Sequence, residues 1–158
     1  HLAGTVGTLW NSPLVRETLQ IPSGEDRPDG MILGYPVITS GAYTHEDSIK
    51  FLLGEDRYQD EKEREKVSVE KLVNRDTPKA FLWHTFEDDL VPVENTLKMA
   101  DALRKEGVLF EMHIYPHGPH GLAICDETTV DVKENLNPYA AYVSSWVEHC
   151  IRWIREVL

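Results

Sequence analysis

Two short segments carry residue types that could move a proton. The first is His84-Thr85-Phe86-Glu87-Asp88-Asp89-Leu90-Val91-Pro92, where three acids in a row follow an apolar run. The second is Tyr115-Pro116-His117-Gly118-Pro119-His120-Gly121, which sets two imidazoles in a loop of Gly and Pro. A loop of that composition holds a ring outside regular structure while fixing its backbone, as a general base must be held. An acid beside such a ring would orient it and stabilise its charged form. Three acids and two histidines leave the pairing open. The alternative for the acids is a cap on a following helix, whose N-terminal dipole favours negative charge.

The surrounding elements would bring the two segments together. Residues 30–38 and 80–84 are near-continuous apolar runs, the pattern of strands buried on both faces in a parallel sheet. Residues 109–115 alternate more, as a strand nearer an edge would. Between the second and third strands, residues 93–106 place apolar side chains at 93, 97, 100 and 103, and Gly107 follows as a helix stop. Strand, helix, strand is the βαβ unit, so both chemical segments leave the carboxyl ends of neighbouring strands, where open parallel sheets gather their ligands. Residues 140–158 form an amphipathic covering helix with Val143, Trp146, Val147, Cys150, Ile151, Ile154 and Leu158 on its apolar face. Residues 1–9 read as a helix whose Gly4 and Gly7 serve close packing.

At this point the motifs resemble a known group. Asp88 to Val91 as D-x-x-V and Pro116 to Gly121 as P-x-G-x-H-G, with Asp88 and His120 separated by 32 positions, are similar to the acid and histidine segments of the esterase and lipase group of α/β hydrolases. That group includes acetyl esterases, and the prolyl-oligopeptidase-like hydrolases are related to it. His1-Leu2-Ala3 resembles the residues just after the nucleophile elbow, where G-x-S-x-G-G precedes H-L-A. The resemblance implies that the chain is the C-terminal part of a single α/β hydrolase domain, residues 1–158, with a mostly parallel sheet flanked by helices. It implies Asp88 as the triad acid, with Glu87 and Asp89 as rivals, and His120 as the general base, with His117 as its rival. The serine would lie upstream, since no Gly-x-Ser-x-Gly occurs in the 158 residues, and the chain by itself would be inactive.

The implied activity is hydrolysis of carboxylic esters of small acyl groups, acetylated sugars among them. A prolyl-oligopeptidase-type peptidase and a non-catalytic α/β binding module are the other readings. Residues 40–75, with a dense mixed-charge run from Glu55 to Lys66, are a solvated helical excursion; as a lid they would bring Phe51, Leu52 and Leu53 to substrate. His45, His84, His113 and His149 are structural or solvated.

Bulk properties narrow the partners. Sixteen basic against 27 acidic residues give a net charge of −11, which repels phosphate backbones and anionic lipid. Neither a dinucleotide fingerprint nor a P-loop is present, and no histidine spacing suggests a metal, so no cofactor is expected. No apolar run approaches the roughly 20 residues that span a bilayer. Cys125 and Cys150 lack metal-site spacing and read as free thiols, which suits a cytoplasmic location. The partner is then a small-molecule ester, and an exposed strand edge leaves self-association open.

Overall fold

Ala80-Phe81-Leu82-Trp83-His84-Thr85 is too apolar to face water on either side, and in the computed structural model every one of these residues is buried. The structure describes residues 1–22, 24–126, 129 and 140–158. The buried run lies in β2 (Lys79–Thr85), the centre of a three-stranded parallel sheet between β1 (Gly30–Gly34) and β3 (Phe110–Tyr115). Gly30 pairs with Lys79 at the start of the sheet, and Thr85 pairs with Tyr115 at its end.

Alternation along the strands builds two layers. Met31, Leu33, Ala80 and Leu82 face Met99, Ala100 and Leu103 of α6 (Glu94–Lys105), with Ile38 and Val69 completing that core. Phe81, Trp83 and Tyr115 face Cys150 and Trp153 of α8 (Ser145–Glu156), together with Val143, Leu122 and Cys125. The first helix, α1 (Leu2–Leu9), packs on β1. A Cβ on Gly7 would stand 2.7 Å from Met31 Sδ, and one on Gly4 would stand 3.1 Å from Val69 Cγ1. The short helix α2 (Pro13–Leu19) then leads towards β1.

Three elements differ from the sequence expectations. β1 stops at Gly34 rather than continuing to residue 38. Tyr35 makes one more ladder bond, to Trp83 O at 2.7 Å, but adopts φ +36°, and Pro36 has no N–H to donate. The strand is also not buried on both faces, because Ile32, between Gly30 and Gly34, is 43% exposed.

In α6 the buried face includes Asn95 and Thr96, while Leu97 is exposed. Asn95 Oδ1 accepts from Ile38 N and Thr39 N, and its Nδ2 donates to Tyr43 O and Pro92 O. A side chain that satisfies four backbone groups is buried because it is polar. At the C-terminus the single expected helix is divided into α7 (Ala140–Val143) and α8. Its stripe turns to Val143, Trp146, Cys150, Trp153 and Val157, leaving Ile151 and Ile154 exposed. Trp146 stacks on Trp83 at 4.9 Å and Trp153 meets Phe81 at 5.9 Å, so the rings set the rotation.

Residues 40–75 fold as α3 (Glu46–Leu53), α4 (Glu55–Tyr58), α5 (Glu61–Lys66) and a 3-10 turn, Val69–Lys71. Arg64 ties the segment down by donating to Ser40 O and Glu46. Leu53 turns inward, whereas Phe51 is 88% exposed and with Leu52 lines a cavity of about 520 Å³ against α1. Neither Asp88 nor His120 lines that cavity.

The close approach of Trp83 to β1 gives a stability prediction. A Cβ on Gly34 would lie 2.6 Å from the Nε1 and 2.9 Å from the Cε2 of a buried, stacked indole. Gly34→Ala should lower stability by about 2 kcal/mol, the scale of an overpacked core, measured by urea denaturation. A variant as stable as the parent would show that the Trp83 layer can yield.

Candidate active site

β2 and β3 end in register at Thr85 and Tyr115, so the loops after them leave the same end of the sheet. Two bonds fasten the loops together: Phe86 N donates to Tyr115 O at 2.7 Å, and Thr85 Oγ1 donates to Gly118 O at 2.8 Å. Gly118 has φ +136°, and a Cβ there would fall 2.8 Å from Leu122 Cδ1 and 3.1 Å from Thr85 Cγ2. Only glycine fits that turn without strain. It delivers His120, two residues on, to the end of β2.

There Asp88 is 6% exposed, and four donors converge on its carboxylate. Oδ1 accepts from Leu90 N at 3.1 Å and Val91 N at 2.8 Å. Oδ2 lies 2.7 Å from His120 Nδ1 and 3.1 Å from His84 Nε2. Burial by itself would raise the carboxyl's pKa. The bonds from His84, Val91 N–H and His120 more than offset it, and the group is held down at about 2 against an ordinary 3.8. An ionised acid only accepts, so His120 carries its proton on Nδ1 and presents a lone pair at Nε2. The His120 side chain is 26% exposed. Its ring meets Tyr35 edge-to-face at 4.9 Å, and the Tyr35 hydroxyl accepts from Ala123 N at 3.2 Å in the loop beyond. Tyr35 and Ala123 both hold positive φ without being glycine, so backbone strain is stored beside the ring.

The three acids and two histidines therefore sort into two pairs. Asp88 with His120 is inside, while Glu87 accepts from His117 Nδ1 at 2.9 Å on the surface. Asp89 is exposed. None of the three acids is the N-cap of α6, which begins after Val93. The sequence placed His84 among the structural or solvated histidines and did not foresee its bond to Asp88. His84 is fully buried, with Thr96 Oγ1 at 2.8 Å from Nδ1 and Val91 O at 2.9 Å from Nε2. An imidazole inside an unbroken apolar strand must find partners for both nitrogens, and the carboxylate it meets, Asp88, is four residues on.

The remaining histidines lie elsewhere. His45 bonds Ser48, and His113 bonds Glu111 while stacking on His149 at 4.5 Å. Cys125 and Cys150 are free and buried; burial pushes the Cys125 thiol up to about 11, which suits packing rather than attack. Among the described residues no group of three His, Cys, Asp or Glu side chains is placed to hold a metal ion. Chemically, the pair can take a proton from a hydroxyl at His120 Nε2 and return one later, with Asp88 stabilising the imidazolium. Among the described residues the ring's hydrogen bond is the one to Asp88.

Comparison with known proteins agrees with this architecture. The prolyl oligopeptidase family matches over residues 27–149. Endo-1,4-beta-xylanase B of Butyrivibrio fibrisolvens is 46% identical over 101 residues, which are 64% of this chain and 16% of that protein. An acetyl ester-xyloside bifunctional hydrolase from Caldicellulosiruptor lactoaceticus superposes with a TM-score of 0.77 at 38% identity, over 99% of this chain and 53% of its own. The carboxylesterase Cest-2923 from Lactobacillus plantarum WCFS1 gives 0.78 at 26% identity, over 99% and 54%. The chain thus spans about half the length of these solved structures and a smaller part of the xylanase. The shared architecture is the α/β hydrolase fold.

Proposed function

Because the chain belongs to the prolyl oligopeptidase family, we propose that it supplies the acid and the general base of a serine hydrolase that cleaves carboxylic esters of small acyl groups, acetylated sugars among them. The observation that carries this reading is the buried Asp88 carboxylate 2.7 Å from His120 Nδ1, which leaves Nε2 as the base. The similar hydrolase and esterase structures support the ester chemistry, and the acetyl ester-xyloside hydrolase together with the xylanase supports a sugar-linked substrate.

In the mechanism His120 Nε2 removes the serine proton as the hydroxyl attacks the ester carbonyl. It then returns a proton to the leaving alcohol, and a water repeats the cycle on the acyl-enzyme. Asp88 keeps the proton on Nδ1 and stabilises the imidazolium. The reading takes its serine from a Gly-x-Ser-x-Gly-Gly segment ahead of His1-Leu2-Ala3, with the oxyanion hole formed by backbone N–H groups there and in an earlier loop.

The test is p-nitrophenyl acetate hydrolysis by the 158-residue chain and by a version that includes the elbow segment. Activity confined to the longer form is the expected result. A folded longer form that leaves short esters intact but cleaves a peptide p-nitroanilide would replace the esterase with the peptidase suggested by the family's name.

A further inference from the structure

His84 is a fully buried imidazole with no step in the proton relay just described. Its Nε2 faces two acceptors, Asp88 Oδ2 at 3.1 Å and Val91 O at 2.9 Å, so that nitrogen bears the proton. Its Nδ1 then accepts from Thr96 Oγ1 at 2.8 Å, a hydroxyl in the first turn of α6 that can donate to the ring's lone pair. A continuous chain results: Thr96 donates to His84, and His84 and His120 both donate to Asp88. The backbone N–H groups of Leu90 and Val91 hold Oδ1. On Oδ2 the other donor, His120, comes from a Gly and Pro loop and is part-exposed. His84 belongs to the central strand, and so is the rigid one of the two rings on that oxygen.

We propose that His84 is a positioning residue for the acid and base pair: its Nε2–H holds Asp88 Oδ2 turned towards His120, and through it keeps the His120 proton on Nδ1. The proposal rests on reading Asp88 and His120 as the relay. It differs from a purely structural role, in which His84 would only fill the strand end and satisfy Thr96 and Val91.

Two substitutions separate the roles. His84→Asn puts an amide near the position of Nδ1, keeps a partner for Thr96 and ends short of Asp88. His84→Gln reaches the position of Nε2 and keeps an N–H on Oδ2. Imidazole ¹⁵N NMR of the chain reads the His120 tautomer, and carboxyl ¹³C NMR reads the Asp88 titration. In His84→Asn, His120 should become a mixture of tautomers and the Asp88 midpoint should move up from about 2; in His84→Gln both should match the parent. A folded His84→Asn chain with both signals unchanged, or a Gln variant no better than the Asn variant, overturns the proposal. The parent chain decides independently of how the variants fold, since His84 found with its proton on Nδ1 also overturns it.

In the longer protein, His84→Asn should lower kcat about tenfold at unchanged KM, the scale of a small misplacement of a catalytic group, and Gln should restore it to within about twofold. An inactive longer protein whose NMR signals behave as stated removes the esterase reading and leaves the positioning role intact.

Discussion

His120→Ala, made in a version of the protein that includes the elbow segment, should lower kcat/KM for p-nitrophenyl acetate on the order of 10⁴-fold or more, the loss that follows removal of a triad base. His117→Ala should change it by less than about threefold, because the expected loss belongs to the ring that is coupled to a buried acid. The contrast is the informative part. The two histidines are three residues apart in one loop, and each has a carboxylate partner at nearly the same distance, 2.7 Å for His120 and 2.9 Å for His117. What separates them is the partner's surroundings. Asp88 is out of water and held by four donors, so its charge acts on His120 with little screening. Glu87 and His117 are exposed side chains, a setting in which an ion pair contributes little. Equal losses in the two variants would mean that burial of the acid is not what makes the base, and the assignment of His120 would fall.

This discrimination was only half legible in the letters. The strands were, because Ala80 to Thr85 is a run that no exposed segment would carry and Phe110 to Tyr115 alternates as a half-buried strand does. The parallel pairing then placed both loops at one end of the sheet. Asp88 and His120 could be singled out by their resemblance to known motifs, but nothing in Glu87-Asp88-Asp89 itself says which carboxylate turns inward. That depends on Asp88 Oδ1 closing onto Leu90 N and Val91 N, a turn that any of several sequences could make. Apolar patterning failed wherever a polar side chain earned burial by satisfying the backbone, as Asn95 does for Ile38, Thr39, Tyr43 and Pro92. In α8 it found Trp146 and Cys150 but missed Trp153, which outweighed Ile151 and Ile154 because a large ring removes more surface from water. His84 was read as structural or solvated, and its bond to Asp88 escaped for the same reason as the role of Asn95: a pattern of apolar letters has no place for a buried donor. Residues 40–75, expected as a solvated helical excursion with a lid as the other reading, place Phe51 and Leu52 on a cavity against α1.

Asp88→Asn should be nearly as damaging as loss of the base, and the reason lies in the count of donors. All four groups on the carboxylate are N–H: Leu90 and Val91 on Oδ1, His84 and His120 on Oδ2. An asparagine brings one acceptor oxygen and two N–H donors of its own. With its oxygen on the backbone pair, its NH₂ faces the imidazoles; His120 must then turn its lone pair inward and move its proton to Nε2, which abolishes the base. With the amide reversed, the NH₂ faces two backbone N–H groups that cannot move. Neither orientation serves, and a loss of about 10⁴-fold in kcat is expected, the scale of a triad acid replaced by its amide.

The same crowding fixes the pH behaviour of the chain. The folded Asp88 carboxyl lies at about 2 against 3.8 for an ordinary one. A depressed folded value means that the contribution is fully present above the unfolded value and is lost as pH falls through the folded one. Asp88 should therefore stabilise the fold by about 2 kcal/mol at neutral pH, fading between about 4 and 2. Urea midpoints of parent and Asp88→Asn, taken from pH 6 down to 2, should differ most at the neutral end and converge as the parent's carboxyl protonates. Curves that stay parallel across the range would mean that the four donors do not hold a charge, and the argument that they set the His120 tautomer would lose its basis.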